Sequence, residues 1–196
     1  MTKLVKRVEA SVRMPSSAKR QFDGMVDRFL PSVAKVARRA IAKMRKVTPG
    51  ALELVYDNYN ALAIGFAPGE RSSEGIFSVA LYPPHASLFF LQGAELPDPT
   101  ERLKGKGSVV RHIVLETGDE IDAPDVRRLI RLALGRAKVP LPKGQRRRMI
   151  IKAISEKQRP RRPKGGEAHP RGRPRPRPTR SRRLPSVSDR ISRPSP

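Results

Sequence analysis

The sequence has no cysteine and no tryptophan, and only 5% of its residues are aromatic. Without cysteine the chain has no disulfide, no thiolate metal ligand and no cysteine nucleophile. No apolar run reaches the roughly 18 residues that a membrane span needs. The N-terminal residues contain no continuous apolar segment of the kind found in secretory signals, so we expect a cytoplasmic protein, and association with the nucleoid would fit its charge.

Acidic residues are also scarce, since the chain has 42 Lys and Arg but only 18 Asp and Glu. Residues 136–196 alone hold 21 basic and 3 acidic residues, 11 of the 20 prolines and no aromatic residue. Such a segment has too little apolar surface to offset the entropy of ordering, which predicts a disordered tail. A basic tail attracts polyanions, so we expect nucleic acid as its partner. An anionic membrane surface and a purely solubilising role are the alternatives.

Three segments have the apolar spacing of amphipathic helices. They are a short helix or turn over 17–29, a helix over 31–47 and a last helix over 122–137. Asp122 and Asp125 have the spacing of a capping pair at the start of the third segment.

Four short apolar segments between the second and third helices predict β-strands. They are residues 61–67, 75–82, 86–91 and 107–115, and short turns separate most of them. Strands in such an order are typical of an antiparallel meander. We therefore predict an α+β fold, in which N- and C-terminal helices pack on one face of a sheet of four or more strands.

Composition divides the chain into four parts. Residues 1–16 form an N-terminal extension and residues 17–137 the folded domain. Residues 138–158 form a linker, within which 145–157 has the pattern of a short basic helix, and residues 159–196 form the tail. The sequence leaves open whether the short helix contacts the domain.

Residues 17–134 resemble the YdhG-like domain family, which belongs to a superfamily with YjbR-like and frataxin (CyaY-like) proteins. The residues that carry the resemblance are Pro49-Gly50-Ala51-Leu52-Glu53, Tyr56, FFLQGAELPDPTERLKGKGSVVRHIVL and Asp122-Ala123-Pro124. The resemblance implies a compact sandwich with helices on one face of an antiparallel sheet. It implies little about activity, although some relatives are proposed iron chaperones.

A frataxin-like iron chaperone is therefore one alternative function. In frataxin-like proteins iron binding is associated with an acidic ridge on the first helix and an adjoining strand. The helix over 31–47 has no acidic residue here. Asp23 and Asp27, four residues apart, are the remaining acidic pair, and carboxylates at this spacing are typical of a helix surface. We predict no metal site.

An enzyme that uses a small cleft near Glu53 and Tyr56 is the second alternative, because both residues match family positions. The simpler interpretation is that Glu53 pairs with a basic neighbour and Tyr56 packs. His85 follows two prolines and His112 lies in a predicted strand. No Gly-x-Ser-x-Gly or His-x-x-x-His pattern is present. We predict no catalytic residue and no cofactor.

Gly105-Lys106-Gly107-Ser108 has a superficial likeness to a phosphate-binding loop. A P-loop needs a helix after its glycines, so that the amides and the helix dipole converge on phosphate. A strand pattern follows these glycines instead. The stretch is therefore interpreted as a connector that lets the chain enter the next strand.

The tail contains a motif that resembles the AT-hook, a short segment that binds the minor groove of A·T-rich DNA. Its residues are Pro170-Arg171-Gly172-Arg173-Pro174-Arg175, and Arg177 follows. Glycine lets the backbone approach the groove floor, and the narrow A·T groove attracts arginine. Arg175 and Arg177 would contact phosphates. The sequence thus favours a non-enzymatic YdhG-like protein whose tail binds DNA or another polyanion, and whose domain binds a ligand or partner that no motif identifies.

Overall fold

A computed structural model describes residues 16–162, which form an α+β fold as predicted. The three helices are α1 (Ser16–Val26), α2 (Pro31–Val47) and α3 (Pro124–Gly135). The six strands are β1 (Leu52–Asp57), β2 (Leu62–Ala67), β3 (Phe77–Leu81), β4 (Ala86–Phe90), β5 (Arg111–Leu115) and β6 (Met149–Ile154). No helix within residues 16–162 is long and apolar enough to cross a bilayer.

The strands form one sheet in the order β5-β4-β3-β2-β1-β6. Strands β1 to β5 are an antiparallel meander, in agreement with the predicted topology, whereas β6 pairs in parallel with β1. The prediction missed β1 as a strand.

Helix α2 spans the residues that the sequence predicted. Its apolar residues Val33, Ala37, Ile41 and Met44 are buried, because they recur on one side of the helix. The helix ends at Thr48, whose backbone N–H and hydroxyl both donate to the carbonyl of Met44 at 2.9 and 2.7 Å. A carbonyl that would otherwise lack a partner is satisfied in this way.

The main core lies between the helices and one face of the sheet, which we call the inner face. A row of directly opposed residues crosses this face from β1 to β5, and none is more than 5% exposed. The row consists of Val55, Ile64, Val79, Leu88 and Ile113. These residues share one apolar cluster with buried residues of α1, α2 and α3. The other side of the sheet, which we call the outer face, carries the alternate residues of each strand.

The predicted capping pair at the start of α3 is wrong. Asp122 lies in a short 3₁₀ turn, Glu120–Asp122, and the N-cap residue of α3 is Ala123. The Asp122 carboxylate instead accepts a hydrogen bond from Lys43 of α2. The ion pair joins this turn to α2, a long-range contact that residue spacing does not reveal.

The short helix predicted over residues 145–157 is also wrong, because this segment forms β6. Met149 and Ile151 lie opposite Glu53 and Val55 and pack against the core. A short apolar run fits helix and strand patterns alike, and here the unpaired edge of β1 decides between them. The packed part of the chain therefore extends beyond the predicted limit at residue 137.

Candidate nucleic-acid interface

The predicted DNA-binding residues Arg171, Gly172, Arg173, Pro174, Arg175 and Arg177 lie outside the described residues 16–162. The structure does describe the segment that leads to them, residues 138–162, which we call the C-terminal strap. Its geometry determines where the tail leaves the domain.

Backbone hydrogen bonds run along the strap. The Glu53 N–H donates to the Arg148 carbonyl at 2.8 Å, and the Ser155 N–H donates to the Asp57 carbonyl at 2.9 Å. Farther along, the Arg159 N–H donates to Tyr59 at 2.9 Å. These bonds make the strap an edge of the sheet rather than a loose linker.

A buried carboxylate fixes the start of β6. Glu53 is fully buried, and Arg45 of α2 binds both of its oxygens, at 2.8 Å from Nε and 2.7 Å from Nη2. Arg147 of the strap lies on the same carboxylate, with Nε 3.4 Å from Oε1. Burial lowers the pKa of Arg147 from its ordinary value and the adjacent Arg45 lowers it further, while Glu53 opposes both. Two arginines around one carboxylate satisfy a charge that would otherwise be costly to bury.

A second buried carboxylate fixes the end of β6. Asp57 is fully buried and accepts hydrogen bonds from Arg28, just after α1, and from Arg161 of the strap, the latter at 2.7 Å. The Arg161 guanidinium carbon also lies 5.3 Å from the centre of the Phe29 ring. A cation over an aromatic face is favourable when both are shielded from water.

The last described residues return to the junction between α1 and α2. Arg162 donates from Nη2 to the Asp27 carbonyl at 2.9 Å and from Nε to the Phe29 carbonyl at 3.2 Å. Residues 159–162, predicted as the start of the tail, therefore contact the domain, and we keep the name tail for residues 163–196, which follow Arg161 and its buried contacts.

The predicted cleft residues are not brought together. Glu53 points to the inner face, where it pairs with basic neighbours, whereas Tyr56 lies on the outer face beside Leu52, Leu54 and Ile150. The Tyr56 hydroxyl is buried and has no hydrogen-bond partner among residues 16–162. The Glu53 carboxylate is occupied by arginine and is not offered to a ligand.

The remaining candidates from the sequence have structural explanations. Asp23 pairs with Lys19 at 2.6 Å, and Asp27 pairs with Arg38 at 2.8 Å. Within the described part of the chain, no group of three or more potential metal-ligating side chains comes together. Gly105 has a φ of 113°, and the chain continues from there into β5 rather than into a helix. The glycine-rich stretch is therefore a connector, as predicted.

The outer face carries a continuous series of aromatic rings, which we call the ring ladder. His85 stacks on Tyr82 at 5.2 Å between centroids, Tyr82 lies 6.5 Å from Phe89, and Phe89 stacks on His112 at 5.2 Å. Burial lowers the pKa of His112, and nearby Lys104 lowers it further, so both favour the neutral form of this ring. All four rings are half-buried.

Basic side chains exceed acidic ones within the described part as well, by 28 to 15 over residues 16–162. Lys35 and Lys46 of α2, and Arg128 and Arg131 of α3, have no ion pair among these residues, whereas most of the carboxylates do. The domain surface therefore has the same sign of charge as the tail.

Sequence analysis did not identify Asp57, Arg147 or Arg161 as functional or structural residues. One signal was present, because Glu53 and Asp57 interrupt the apolar run LELVYD at a spacing that places them on one face of a strand. Two carboxylates on the buried face of a strand require basic partners, and the basic strap supplies two of them.

No family model, no curated protein and no solved structure matches the chain. The resemblance to the YdhG-like family therefore rests on the motifs alone and stays a prediction.

Proposed function

We propose that the protein is a non-enzymatic, YdhG-like nucleic-acid-binding protein in which the folded domain fixes the start of an Arg/Pro-rich tail. The tail binds DNA, with preference for the minor groove of A·T-rich sequence. The observation that carries the proposal is the buried contact of Arg161 with Asp57, next to Arg162 on the α1–α2 junction. A tail that starts from a fixed point brings its charge and the domain's charge to the same polyanion.

Charge supports the proposal on both sides of this point. Residues 163–196 hold 10 basic and 2 acidic residues, and residues 16–162 have an excess of 13 basic residues. The net charge of the domain therefore does not repel a polyanion that is bound by the tail. Neutralised phosphates release counterions, so the affinity should fall steeply with salt.

The motif itself supports a minor-groove mode. Gly172 has no side chain to prevent close approach, and Pro170 and Pro174 favour an extended backbone on either side. Arg171 and Arg173 can then lie along the groove, where the potential of narrow A·T tracts is most negative. This arrangement reads groove shape rather than individual bases.

The test uses the full chain and compares an A·T-rich with a G·C-rich duplex by fluorescence anisotropy. Arg171→Ala with Arg173→Ala should lower the affinity for the A·T-rich duplex more than that for the G·C-rich duplex. Arg190→Ala with Arg193→Ala removes the same charge outside the motif and serves as the matched control.

The control pair should lower the affinity for both duplexes equally. If the substitutions in the motif also lower both affinities equally, minor-groove recognition is wrong and the tail is a generic polycation. If the wild-type chain binds neither duplex at physiological salt, the proposed function is wrong.

A further inference from the structure

The excess basic charge of the described residues is concentrated in the C-terminal strap. Residues 138–162 hold 10 basic residues and one acidic residue, Glu156, a net charge of +9. The much longer segment 16–137 holds 18 basic and 14 acidic residues, a net charge of only +4. Because the strap contains β6, the last strand in the strand order, most of the domain's positive charge belongs to one edge of the sheet.

Four exposed basic side chains flank β6 or lie within it and have no internal partner. They differ from Arg147 and Arg161, which bind buried carboxylates, and from Arg148, which pairs with Glu70 at 2.9 Å. None of the four forms an ion pair or a side-chain hydrogen bond within residues 16–162. They are Arg146, Lys152, Lys157 and Arg159, which we call the basic edge.

The backbone that carries the basic edge is held in a defined position. The N–H groups of Ser155 and Arg159 donate to the carbonyls of Asp57 and Tyr59, both at 2.9 Å, so Lys157 lies between two fixed points. An extended strand rises about 3.3 Å per residue, so the six residues of β6 span about 20 Å. The phosphates of one DNA strand advance about 3.4 Å along the helix axis, and about six of them have this length.

We propose that the basic edge binds the phosphate backbone of the duplex on which the tail lies. The inference rests on the proposed function, because it assigns the surface by which the folded domain contacts the same DNA. Cations without carboxylate partners can neutralise phosphates and release counterions without first breaking an ion pair. The helical side of the domain differs, since carboxylates already pair with Arg38, Arg39 and Lys43.

The length of the tail limits how far the motif can lie from the basic edge. Arg171 follows Arg162 by nine residues. A fully extended chain of this length reaches at most about 32 Å, which corresponds to about nine base pairs of B-DNA. The basic edge should therefore contact phosphates that lie within about nine base pairs of the A·T tract bound by the motif.

An anionic membrane surface fits the basic edge less well than DNA does. Protein segments that bind at a membrane surface combine basic residues with a continuous row of apolar side chains. The exposed large apolar residues of the strap are Val139 and Ile154, and they are 15 residues apart. A series of charges along one edge of a sheet matches a linear polyanion instead.

The experiment uses the full chain and a duplex with a central A·T tract and G·C flanks that are longer than the reach of the tail. The edge variant carries Arg146→Gln, Lys152→Gln, Lys157→Gln and Arg159→Gln. The control variant replaces two lysines and two arginines that are exposed on α2 and α3 and have no ion pair within residues 16–162: Lys35, Lys46, Arg128 and Arg131. Circular dichroism verifies that both variants keep the fold.

Fluorescence anisotropy at several salt concentrations measures how steeply the logarithm of the affinity falls with the logarithm of the salt concentration. Each lost phosphate contact should reduce this slope by about 0.9, so the edge variant should reduce it by about 3 to 4. The control variant should reduce it by less than about 1. Neither variant should change the ratio of the affinities for A·T-rich and G·C-rich duplexes, because the motif is intact.

Hydroxyl-radical footprinting locates the contact on the DNA. The wild-type chain should protect the A·T tract and phosphates in its flank, whereas the edge variant should protect the tract alone. A wild-type footprint confined to the tract overturns the proposal, and this measurement requires no variant to fold.

Three results with the variants would also overturn the basic edge as a DNA-binding surface. They are an equal reduction of the slope by the two variants, an edge variant with the wild-type slope, and an edge variant that loses affinity for vesicles of phosphatidylserine and phosphatidylcholine but not for the duplex. In each case the wild-type chain can still prefer the A·T-rich duplex, so the proposed function stands. If the wild-type chain binds neither duplex, both proposals are wrong.

Discussion

Arg161 donates a hydrogen bond to the carboxylate of Asp57 at 2.7 Å, although 104 residues separate the two in the sequence. The side chains are 4% and 0% exposed. A buried ion pair has a high desolvation cost, which its mutual attraction and its other hydrogen bonds must offset. Here Arg28 also binds Asp57, and Arg161 also donates to the backbone carbonyls of Asn58 and Tyr59. The end of the strap is thus part of the interior. Loss of Arg161 would remove one of the charged partners of the buried Asp57 carboxylate.

Replacement of Arg161 by methionine should destabilise the domain by about 3 kcal/mol, at the low end for a broken buried ion pair. The reason is that Asp57 stays buried with Arg28 as its remaining charged partner. Urea unfolding of the full chain, followed by far-UV circular dichroism, measures the change.

Arg159→Met is the control for this substitution, because Arg159 is exposed and contacts Tyr59 through its backbone N–H. It should change the stability by less than about 0.5 kcal/mol. If Arg161→Met is equally mild, the buried pair contributes no net stability and the end of the strap is dispensable.

The position of a truncation should decide whether the domain folds. A chain that ends at residue 137 loses β6, and both Glu53 and Asp57 lose an arginine partner from the strap. It also exposes the edge of β1, which is a template for aggregation. We expect this chain to be largely unfolded or aggregated, whereas a chain that ends at residue 162 should unfold cooperatively.

Thermal unfolding and size-exclusion chromatography of the two truncated chains test this expectation. A stable monomer ending at residue 137 would show that the strap is an optional addition to the sheet. A DNA-binding comparison should in either case use the chain ending at residue 162, since it removes the tail without disturbing β1.

How far the sequence determines the fold differs from one element to another. Helix α2 was predicted with its observed bounds, because a long amphipathic pattern depends only on local spacing and its terminal signals were clear. Strands β2 to β5 were predicted for a similar reason, as their apolar residues alternate between turns. Each of these patterns lies within a few residues of sequence.

Strands β1 and β6 were not predicted, and the reason is physical. Glu53 and Asp57 make β1 appear too polar for a buried strand, and only arginines from positions 28, 45, 147 and 161 neutralise them. The sequence of residues 149–154 matches helix and strand patterns equally. The unpaired edge of β1, which the sequence alone does not reveal, decides in favour of a strand. The ring ladder could not be predicted from the sequence either, since Phe89 and His112 become neighbours only through strand register.

The two arginines around Glu53 should contribute unequally to stability. Arg45 binds both carboxylate oxygens within 2.8 Å, while Arg147 approaches one of them at 3.4 Å. Paired hydrogen bonds from one guanidinium are the stronger arrangement. Arg45→Met should therefore cost about 3 kcal/mol and Arg147→Met about 1 kcal/mol.

Urea unfolding of the two single variants and the double variant measures both values and their coupling. The double variant should cost more than the sum of the single variants, because it removes the last partner of a buried carboxylate. A larger effect for Arg147→Met would mean that its bond to the Arg45 carbonyl, rather than its contact with Glu53, determines its contribution.

Lys43 should make the stability depend on pH at both ends of the range. Its ammonium lies 2.5 Å from Asp119 and also contacts Asp122. Hydrogen bonds from Lys43 are the main reason that the pKa values of both aspartates lie below the ordinary 3.8. The hydrogen bond to Asp119 is likewise the main reason that the pKa of Lys43 lies above 10.5.

The direction in which each group changes the stability with pH depends on whether the folded or the unfolded chain binds more protons. Near pH 4 the unfolded chain binds more protons at these aspartates, so their contribution is complete above that pH and is lost as the pH falls through the lowered pKa values. For Lys43 the folded chain keeps its proton longer, so that contribution is complete below its unfolded pKa and is lost as the pH rises through the raised value.

Lys43→Met should therefore reduce the loss of stability on acidification between about pH 4 and pH 2, and also reduce the loss at alkaline pH. Lys35→Met is the matched control, since Lys35 lies on the same helix and has no ion pair among residues 16–162. Urea unfolding at a series of pH values compares the slopes. An unchanged acidic slope for Lys43→Met would show that Arg39, which also pairs with Asp119 at 2.5 Å, lowers the carboxylate pKa without Lys43.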